Sequence, residues 1–194
     1  MQVIGAVVRL QVQRDRLKPG PAGARVYDPS PLLEVEALEV GPRGVWGLVG
    51  ESRVLDVHHA DHPQTRNVAL LNGLSVMTTG RYADLRARFG ERLVDGIAGE
   101  SVLVEATVLA LSAPVVLETD RGLREFDVVP IPPCVEFSRW VLGRGVTDTG
   151  PEVLAAMAAL AEGARGYYLR SVETVPAAGV PVDVLRLGHR LLRP

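Results

Sequence analysis

The clearest structural signal in this sequence is Val8-Arg9-Leu10-Gln11-Val12-Gln13, where apolar and polar residues alternate. Alternation with a period of two places the apolar side chains on one face of a β-strand and the polar side chains on the other. Leu33-Glu34-Val35-Glu36-Ala37 repeats this pattern after a stretch rich in proline and glycine. We therefore predict two half-buried strands joined by a loop.

Further runs of β-branched and aliphatic residues follow at the short intervals typical of a β-sandwich or barrel. They lie at 68–71, 102–105, 108–111, 115–119, 123–129, 167–172 and 182–187. Helices are predicted only over 81–89, directly after Cys134, and over 150–162, where Thr149 and Glu152 have the spacing of a capping box. The chain is thus predicted to be mainly β, with a few helices at the periphery.

The length and composition favour one folded domain spanning residues 1–194. Apolar residues make up 47% of the chain and charged residues 23%, which excludes disordered, collagen-like and disulfide-rich classes. No apolar run approaches the roughly 20 residues that span a bilayer. The N-terminal residues do not resemble a signal peptide, so we expect a cytoplasmic protein without membrane association.

The charges indicate what kind of partner to expect. The formal net charge is −2 and no basic stripe stands out, so nucleic-acid binding is not expected. Lys18 is the only lysine, and every other cationic side chain is an arginine. Arginine suits phosphate and carboxylate ligands. A GC-rich genome explains most of these arginines equally well.

Cys134 is the only cysteine, which excludes an intramolecular disulfide and a multi-cysteine metal site in one chain. A small buried apolar side chain is the commonest fate of a free cysteine. However, Cys134 follows Pro132 and Pro133 and precedes a predicted helix. Backbone N–H groups at the start of that helix would stabilise a thiolate. These residues alone do not decide between a structural and a functional role for Cys134.

His58-His59-Ala60-Asp61-His62 is the most metal-like cluster in the sequence. Two histidines four residues apart bind zinc well on a helix, but Pro63 follows at once and makes a helix there unfavourable. We favour a polar loop that lines a ligand site over a metal site. Phosphate-binding glycine loops and the serine-hydrolase motif are missing, and no local signature pairs Cys134 with a histidine.

Four segments carry a family resemblance: Arg66-Asn67-Val68-Ala69-Leu70-Leu71, Asp95-Gly96-Ile97-Ala98-Gly99-Glu100-Ser101-Val102, Pro132-Pro133-Cys134 and Arg165-Gly166-Tyr167-Tyr168. Their order and spacing resemble those of the MOSC family, found at the C-terminus of molybdenum-cofactor sulfurases and in stand-alone bacterial proteins. The resemblance covers about residues 40–187, including a glycine- and histidine-containing loop placed between residues 47 and 59. Ser101 stands where the family usually has asparagine, and Glu51 where aspartate is common.

The resemblance implies a MOSC-like β-barrel and molybdenum-cofactor or sulfur chemistry. It assigns Cys134 as the catalytic residue that ligates molybdenum or carries a persulfide. It also implies that a set of six residues lines the cofactor pocket: His58, His59, Arg66, Gly99, Glu100 and Ser101. A thiolate suits molybdenum or sulfane sulfur, and an arginine suits the phosphate of molybdopterin.

Three functions follow, in order of preference. The first is a molybdenum-cofactor-dependent oxidoreductase that reduces N-hydroxylated compounds with electrons from an external donor protein. The second is a sulfur carrier that receives a persulfide on Cys134 from a cysteine desulfurase. The third is a non-catalytic barrel that binds a phosphorylated small molecule. Covalent pyridoxal phosphate is not expected, because Lys18 lies in a proline- and glycine-rich loop.

Overall fold

The computed structural model describes residues 1–67, 72–107, 110–112, 114–171 and 182–194, which contain twelve strands and three short helices. The strands are β1 (Gln2–Gln13), β2 (Leu32–Glu34), β3 (Ala37–Gly41), β4 (Gly44–Val49), β5 (Ser52–Leu55), β6 (Ser75–Thr78), β7 (Val102–Glu105), β8 (Val115–Thr119), β9 (Gly122–Pro130), β10 (Tyr167–Ser171), β11 (Asp183–Arg186) and β12 (Arg190–Arg193). The helices are α1 (Thr79–Phe89), α2 (Val135–Val141) and α3 (Pro151–Ala159).

Seven strands form a closed barrel in the order β12-β8-β9-β10-β6-β7-β1, and the pairing of β1 with β12 closes it. Gln2 lies opposite Arg193 in that closing pair, and β2 extends the sheet from the other end of β1. The pairing of β6 with β7 is parallel, with α1 as the crossover between the two strands. The prediction of a β-barrel with a few peripheral helices is confirmed.

A second sheet has the order β11-β3-β4-β5. The prediction of one strand over 33–37 is wrong, because the chain leaves the barrel sheet after β2 and enters this second sheet at β3. At the corner, Val35 N donates to Leu10 O at 2.9 Å and Glu36 N donates to Leu48 O at 2.9 Å. Apolar and polar residues keep alternating through the corner, so the pattern gives no sign of the break.

The apolar side chains form two buried clusters among the described residues. The first fills the barrel, with Leu10, Val76 and Leu191 among its members. The second lies beneath the helices and contains Tyr82, Cys134 and Phe137. Because the second cluster also includes residues of the β1–β2 loop, it ties the helices to the region where the candidate site lies.

The helix predictions over 81–89 and after Cys134 are confirmed as α1 and α2. The third helix is confirmed as α3, but its capping box is wrong. Gly150 is the N-cap and makes no side-chain capping bond, while Glu152 forms an ion pair with Arg144. None of the helices in the described ranges has the length and apolar character needed to cross a bilayer.

The predicted strands at 102–105, 115–119 and 123–129 correspond to β7, β8 and β9. Those at 167–172 and 182–187 correspond to β10 and β11, although residue 172 lies outside the described residues. The run at 68–71 and residues 108 and 109 also lie outside them. The loop expected from residue 47 onward is wrong, since β4 continues to Val49 and β5 follows a turn at Gly50 and Glu51.

Candidate functional site

A cavity of about 270 Å³ lies where the β1–β2 loop (residues 14–31) meets the turn before β7 and the segments that contain His58, Ile131 and Arg165. Its cationic lining residues are Arg16, Lys18, Arg25, Arg66 and Arg165. Its other polar lining residues include Gln13, Gln64, Asn67, Asn72 and Ser75, and Tyr27 and Tyr168 supply aromatic rings. No aspartate or glutamate is among its described lining residues.

The five cations of this cavity form no salt bridge with a described carboxylate. Eight arginines elsewhere form ion pairs, whereas none of the five has a carboxylate within salt-bridge distance in the described part of the chain. The whole chain has a formal net charge of −2, whereas the charged side chains that line the cavity are all cationic among the described residues. Positive charge that is not neutralised by the protein attracts anionic ligands.

The β1–β2 loop supplies three of the five cations and is held in place by its own backbone. Asp28 N donates to Leu17 O at 2.8 Å, and Arg14 N donates to Pro31 O at 3.0 Å. Tyr27 is buried in the apolar cluster beneath the helices, and its hydroxyl donates to Ile97 O at 2.6 Å. Burial raises the pKa of the Tyr27 phenol, so this hydroxyl keeps its proton as a donor. The loop therefore presents its cations from an anchored position.

Arg16 connects the β1–β2 loop to the segment that follows the histidine cluster. Its Nε and Nη2 donate to Gln64 O at 3.1 and 2.7 Å. His62 Nε2 also lies 3.2 Å from Arg14 O. These contacts use two of the guanidinium donors of Arg16 and leave its charge available to the cavity.

His58 lines the cavity, and Asp56 sets its orientation. Asp56 is buried, and its Oδ1 accepts from His58 N at 2.8 Å and lies 2.9 Å from His58 Nδ1. Its Oδ2 accepts from Gln13 N at 2.8 Å, which fixes the carboxylate against β1. Asp56 is not among the residues predicted from the sequence, although its spacing of two residues from His58 is a usable signal for an orienting carboxylate.

His59 is not among the lining residues of the cavity. Only 5% of it is exposed, its ring centroid lies 5.4 Å from that of Trp46, and its Nδ1 accepts from Asp61 N at 3.1 Å. Burial lowers the pKa of His59, which favours the neutral ring. No group of three or more histidine, cysteine, aspartate or glutamate side chains in the described ranges is arranged to hold a metal ion.

Of the Gly99-Glu100-Ser101 segment, only Gly99 lines the cavity. Its φ is +88°, and a Cβ there would lie 2.6 Å from Leu17 Cδ1, so any other residue would strain the backbone and displace the Leu17 side chain. Ser101 is buried behind the cavity, and its backbone N donates at 3.0 Å to the hydroxyl of Ser75, which does line the cavity. Ser101 thus supports the site indirectly.

Glu100 is a buried titratable group beneath the cavity and is only 2% exposed. Its Oε2 accepts from the Tyr82 hydroxyl at 2.8 Å, and that hydroxyl accepts from Ala98 N at 2.9 Å. Its Oε1 has no hydrogen-bond partner among the described atoms. Burial raises the pKa of Glu100 to about 7, against the opposing effect of the Tyr82 hydrogen bond. Glu100 is therefore partly protonated at neutral pH.

Cys134 is the N-cap of α2 and is 8% exposed. Its Sγ donates to Glu136 Oε2 at 3.0 Å and makes no capping bond with the helix. The expected stabilisation of a thiolate by helix N–H groups is thus absent from this arrangement. Cys134 is not among the lining residues of the cavity, but it shares an apolar cluster with Leu17 and Tyr27, which are.

Two charged residues lie near Cys134: Glu136, which it contacts, and Arg165, which lines the cavity and packs on Phe137. Burial alone raises the pKa of Glu136, but the hydrogen bond from Cys134 and the charges of Lys18 and Arg25 lower it overall, so this carboxyl is ionised at neutral pH. The Arg165 guanidinium stacks 4.7 Å from the ring centroid of Phe137, and its buried Nε has no hydrogen-bond partner among the described atoms. Arg165 Nη1 donates to Pro132 O at 3.3 Å, so the side chain is held at the edge of the cavity that it lines.

The comparisons with known proteins concern the fold alone. No family model and no curated protein match this chain. Among solved structures, the chain is similar to the YuaD protein from Bacillus subtilis, with a TM-score of 0.54 and 11% sequence identity. That similarity covers 96% of this chain and 93% of that one.

Proposed function

We propose that this protein binds the molybdenum cofactor, a phosphorylated pterin, and that the phosphate lies on the cations of the cavity. The observation that carries the proposal is the set of five cationic side chains with no carboxylate among the described lining residues. Guanidinium groups bind phosphate through paired hydrogen bonds. The resemblance to the MOSC family supplies the identity of the ligand, and the cavity supplies the chemistry that would receive it.

The lining residues fit a phosphorylated heterocycle. Gln13, Asn67 and Asn72 offer amide donors and acceptors for the polar edge of a pterin, and Tyr27 and Tyr168 offer aromatic surface. Gln13 is held by its own hydrogen bond, because its Nε2 donates to Gly99 O at 2.6 Å. The protein residues therefore suit binding and orientation of the ligand.

Cys134 does not line the cavity, so it fits as a metal ligand only after a change in its surroundings and in its hydrogen bonding. Its Sγ holds a proton against Glu136, and a thiolate ligand must give that proton up. Glu136 is ionised and lies 3.0 Å away, so it is the nearby group that can accept it. When bound, the cofactor would supply redox chemistry for the reduction of N-hydroxylated compounds, with electrons from a separate donor.

The molybdenum content of the purified protein tests this proposal. We expect near-stoichiometric molybdenum in protein isolated without oxygen from a host that makes the cofactor. In Cys134→Ala the molybdenum is expected to be lost, while the pterin, measured by fluorescence after oxidation, is retained on the cavity cations. Wild-type protein that carries neither molybdenum nor pterin would contradict the proposal. Arg121→Gln, at an exposed arginine outside the cavity, is the control for purification losses.

A sulfur-carrier function is the second candidate, and the contact between Cys134 and Glu136 favours it. In this reaction Glu136 takes the thiol proton and Cys134 Sγ attacks the terminal sulfur of a desulfurase persulfide. The S–S bond of that persulfide breaks, and the desulfurase cysteine leaves as a thiolate.

Mass spectrometry after incubation with a cysteine desulfurase and cysteine tests the sulfur-carrier function. We expect the mass of one added sulfur atom on the wild-type protein, slower addition in Glu136→Gln and none in Cys134→Ala. An unchanged loading rate in Glu136→Gln would show that the carboxylate has no part in the transfer.

A further inference from the structure

A second cavity, of about 450 Å³, adjoins the first. Five residues line both cavities: Arg16, Lys18, Arg25, Gln64 and Arg66. Four of the five cations of the first cavity therefore lie on the boundary between two spaces. A phosphate held by these side chains would have room for an organic group on each side.

The two cavities differ in chemistry beyond this shared boundary. The first continues with tyrosine rings and side-chain amides, whereas the second continues with Asp15, Asp28 and Ser30 and with proline and glycine residues of the β1–β2 loop. Carboxylates repel phosphate but accept hydrogen bonds from hydroxyl groups. The second cavity therefore suits a neutral group that is rich in hydroxyls, and the phosphates belong at the boundary.

The polar groups of the second cavity are fixed by local contacts. Asp28 Oδ1 accepts from Ser30 N at 2.9 Å, and its Oδ2 accepts from the Ser30 hydroxyl at 2.9 Å. Each carboxylate oxygen keeps acceptor capacity beyond that one bond. Asp15 Oδ1 accepts from Arg16 N, which sets the Asp15 carboxylate beside the shared cations. Preformed acceptors of this kind suit the two hydroxyls of a ribose.

We propose that the ligand is a pyrophosphate-bridged dinucleotide-like molecule rather than a pterin monophosphate. Its pyrophosphate lies on the shared cations Arg16, Lys18, Arg25 and Arg66, and its nucleoside end occupies the second cavity. The assignment of the pterin end of this molecule to the first cavity rests on the function proposed above. The flat apolar faces of Pro19 and Pro31, which line the second cavity, would contact the base.

Binding of nucleoside diphosphates to the full chain tests this inference, with inorganic pyrophosphate as the reference. ADP, GDP and CDP are titrated separately by calorimetry. We expect at least one of them to bind about tenfold more tightly than pyrophosphate, as two additional hydrogen bonds would give. Ser30→Trp fills the second cavity and is expected to abolish this gain while the affinity for pyrophosphate stays within about twofold. Ser52→Trp, at an exposed serine outside both cavities, is the matched control.

The outcomes separate this inference from the proposed function. The nucleoside site is contradicted if pyrophosphate binds but no nucleoside diphosphate binds more tightly. It is also contradicted if Ser30→Trp still binds the nucleoside diphosphate more tightly than pyrophosphate. In both cases the proposed anion-binding cavity is retained. If neither pyrophosphate nor any nucleotide binds, both proposals fall. Retained pyrophosphate binding shows that Ser30→Trp is folded. Should that variant not fold, Asp15→Asn, which changes an exposed side chain of the second cavity, must lower the gain about threefold or more.

Discussion

Replacing Arg16 and Arg66 together by glutamine is expected to weaken pyrophosphate binding by roughly 10²- to 10⁴-fold, because each lost hydrogen bond to a charged group contributes about 1.5–3 kcal/mol. Both side chains line the cavity and its neighbour, and neither forms a salt bridge with a described carboxylate. Their substitution therefore removes ligand contacts without breaking a salt bridge among the described residues. Calorimetric titration at two salt concentrations measures the effect.

The matched control removes the same two charges elsewhere. Arg121→Gln with Arg186→Gln changes two exposed arginines that line neither cavity. It is expected to weaken binding only slightly at low salt, since distant exposed charges are screened. If the control weakened binding as much as the cavity variant, diffuse charge rather than a built site would explain the affinity. The affinity of the wild type for pyrophosphate should fall steeply as the salt concentration rises, and this steep dependence should disappear in the cavity variant alone.

Glu100→Gln is expected to be more stable than the wild type at pH 8, and the difference should shrink as the pH falls. Glu100 has a pKa of about 7 in the folded protein against an ordinary value of 4.5. Between these values the folded state keeps a proton that the unfolded state has released, so the wild type loses stability as the pH rises. The loss amounts to about 3 kcal/mol and is complete above the folded pKa.

Urea denaturation at pH 4.5, 6 and 8 measures this effect as the free energy of unfolding. The variant keeps a neutral side chain at all three values, so its curve should be flatter than that of the wild type across this range. Glu91→Gln, at an exposed glutamate, is the control and should follow the wild type. Parallel pH profiles for the wild type and Glu100→Gln would show that Glu100 titrates normally despite its burial.

The sequence predicted the parts of the fold in which local pattern and final environment agree. The alternation in β1 is an example. It did not predict β6, which is buried at all four residues and therefore does not alternate. It also missed β12, where Arg190 and Arg193 flank two leucines, since a four-residue strand carries too little pattern to be read alone.

The site was predicted less completely than the fold. Of the predicted site residues, His58, Arg66 and Gly99 line the cavity, whereas His59, Glu100, Ser101 and Cys134 lie behind or beside it. The cations at positions 16, 18 and 25 were missed because they lie in a stretch of turn-forming residues, where charged side chains are normally solvated. Only the tertiary fold brings that loop next to Arg66 and Arg165.

The closing pair of the barrel has a consequence for how the protein is made. β1 leaves the ribosome before every other described strand, and its partner β12 leaves after all of them. Until then β1 has one edge without its final partner, and its other barrel neighbour, β7, is itself distant in the chain. Pairings between strands so far apart in the chain form slowly. The nascent chain thus carries a long unpaired strand edge until β12 has been made, a period in which chaperones and neighbouring chains compete for it.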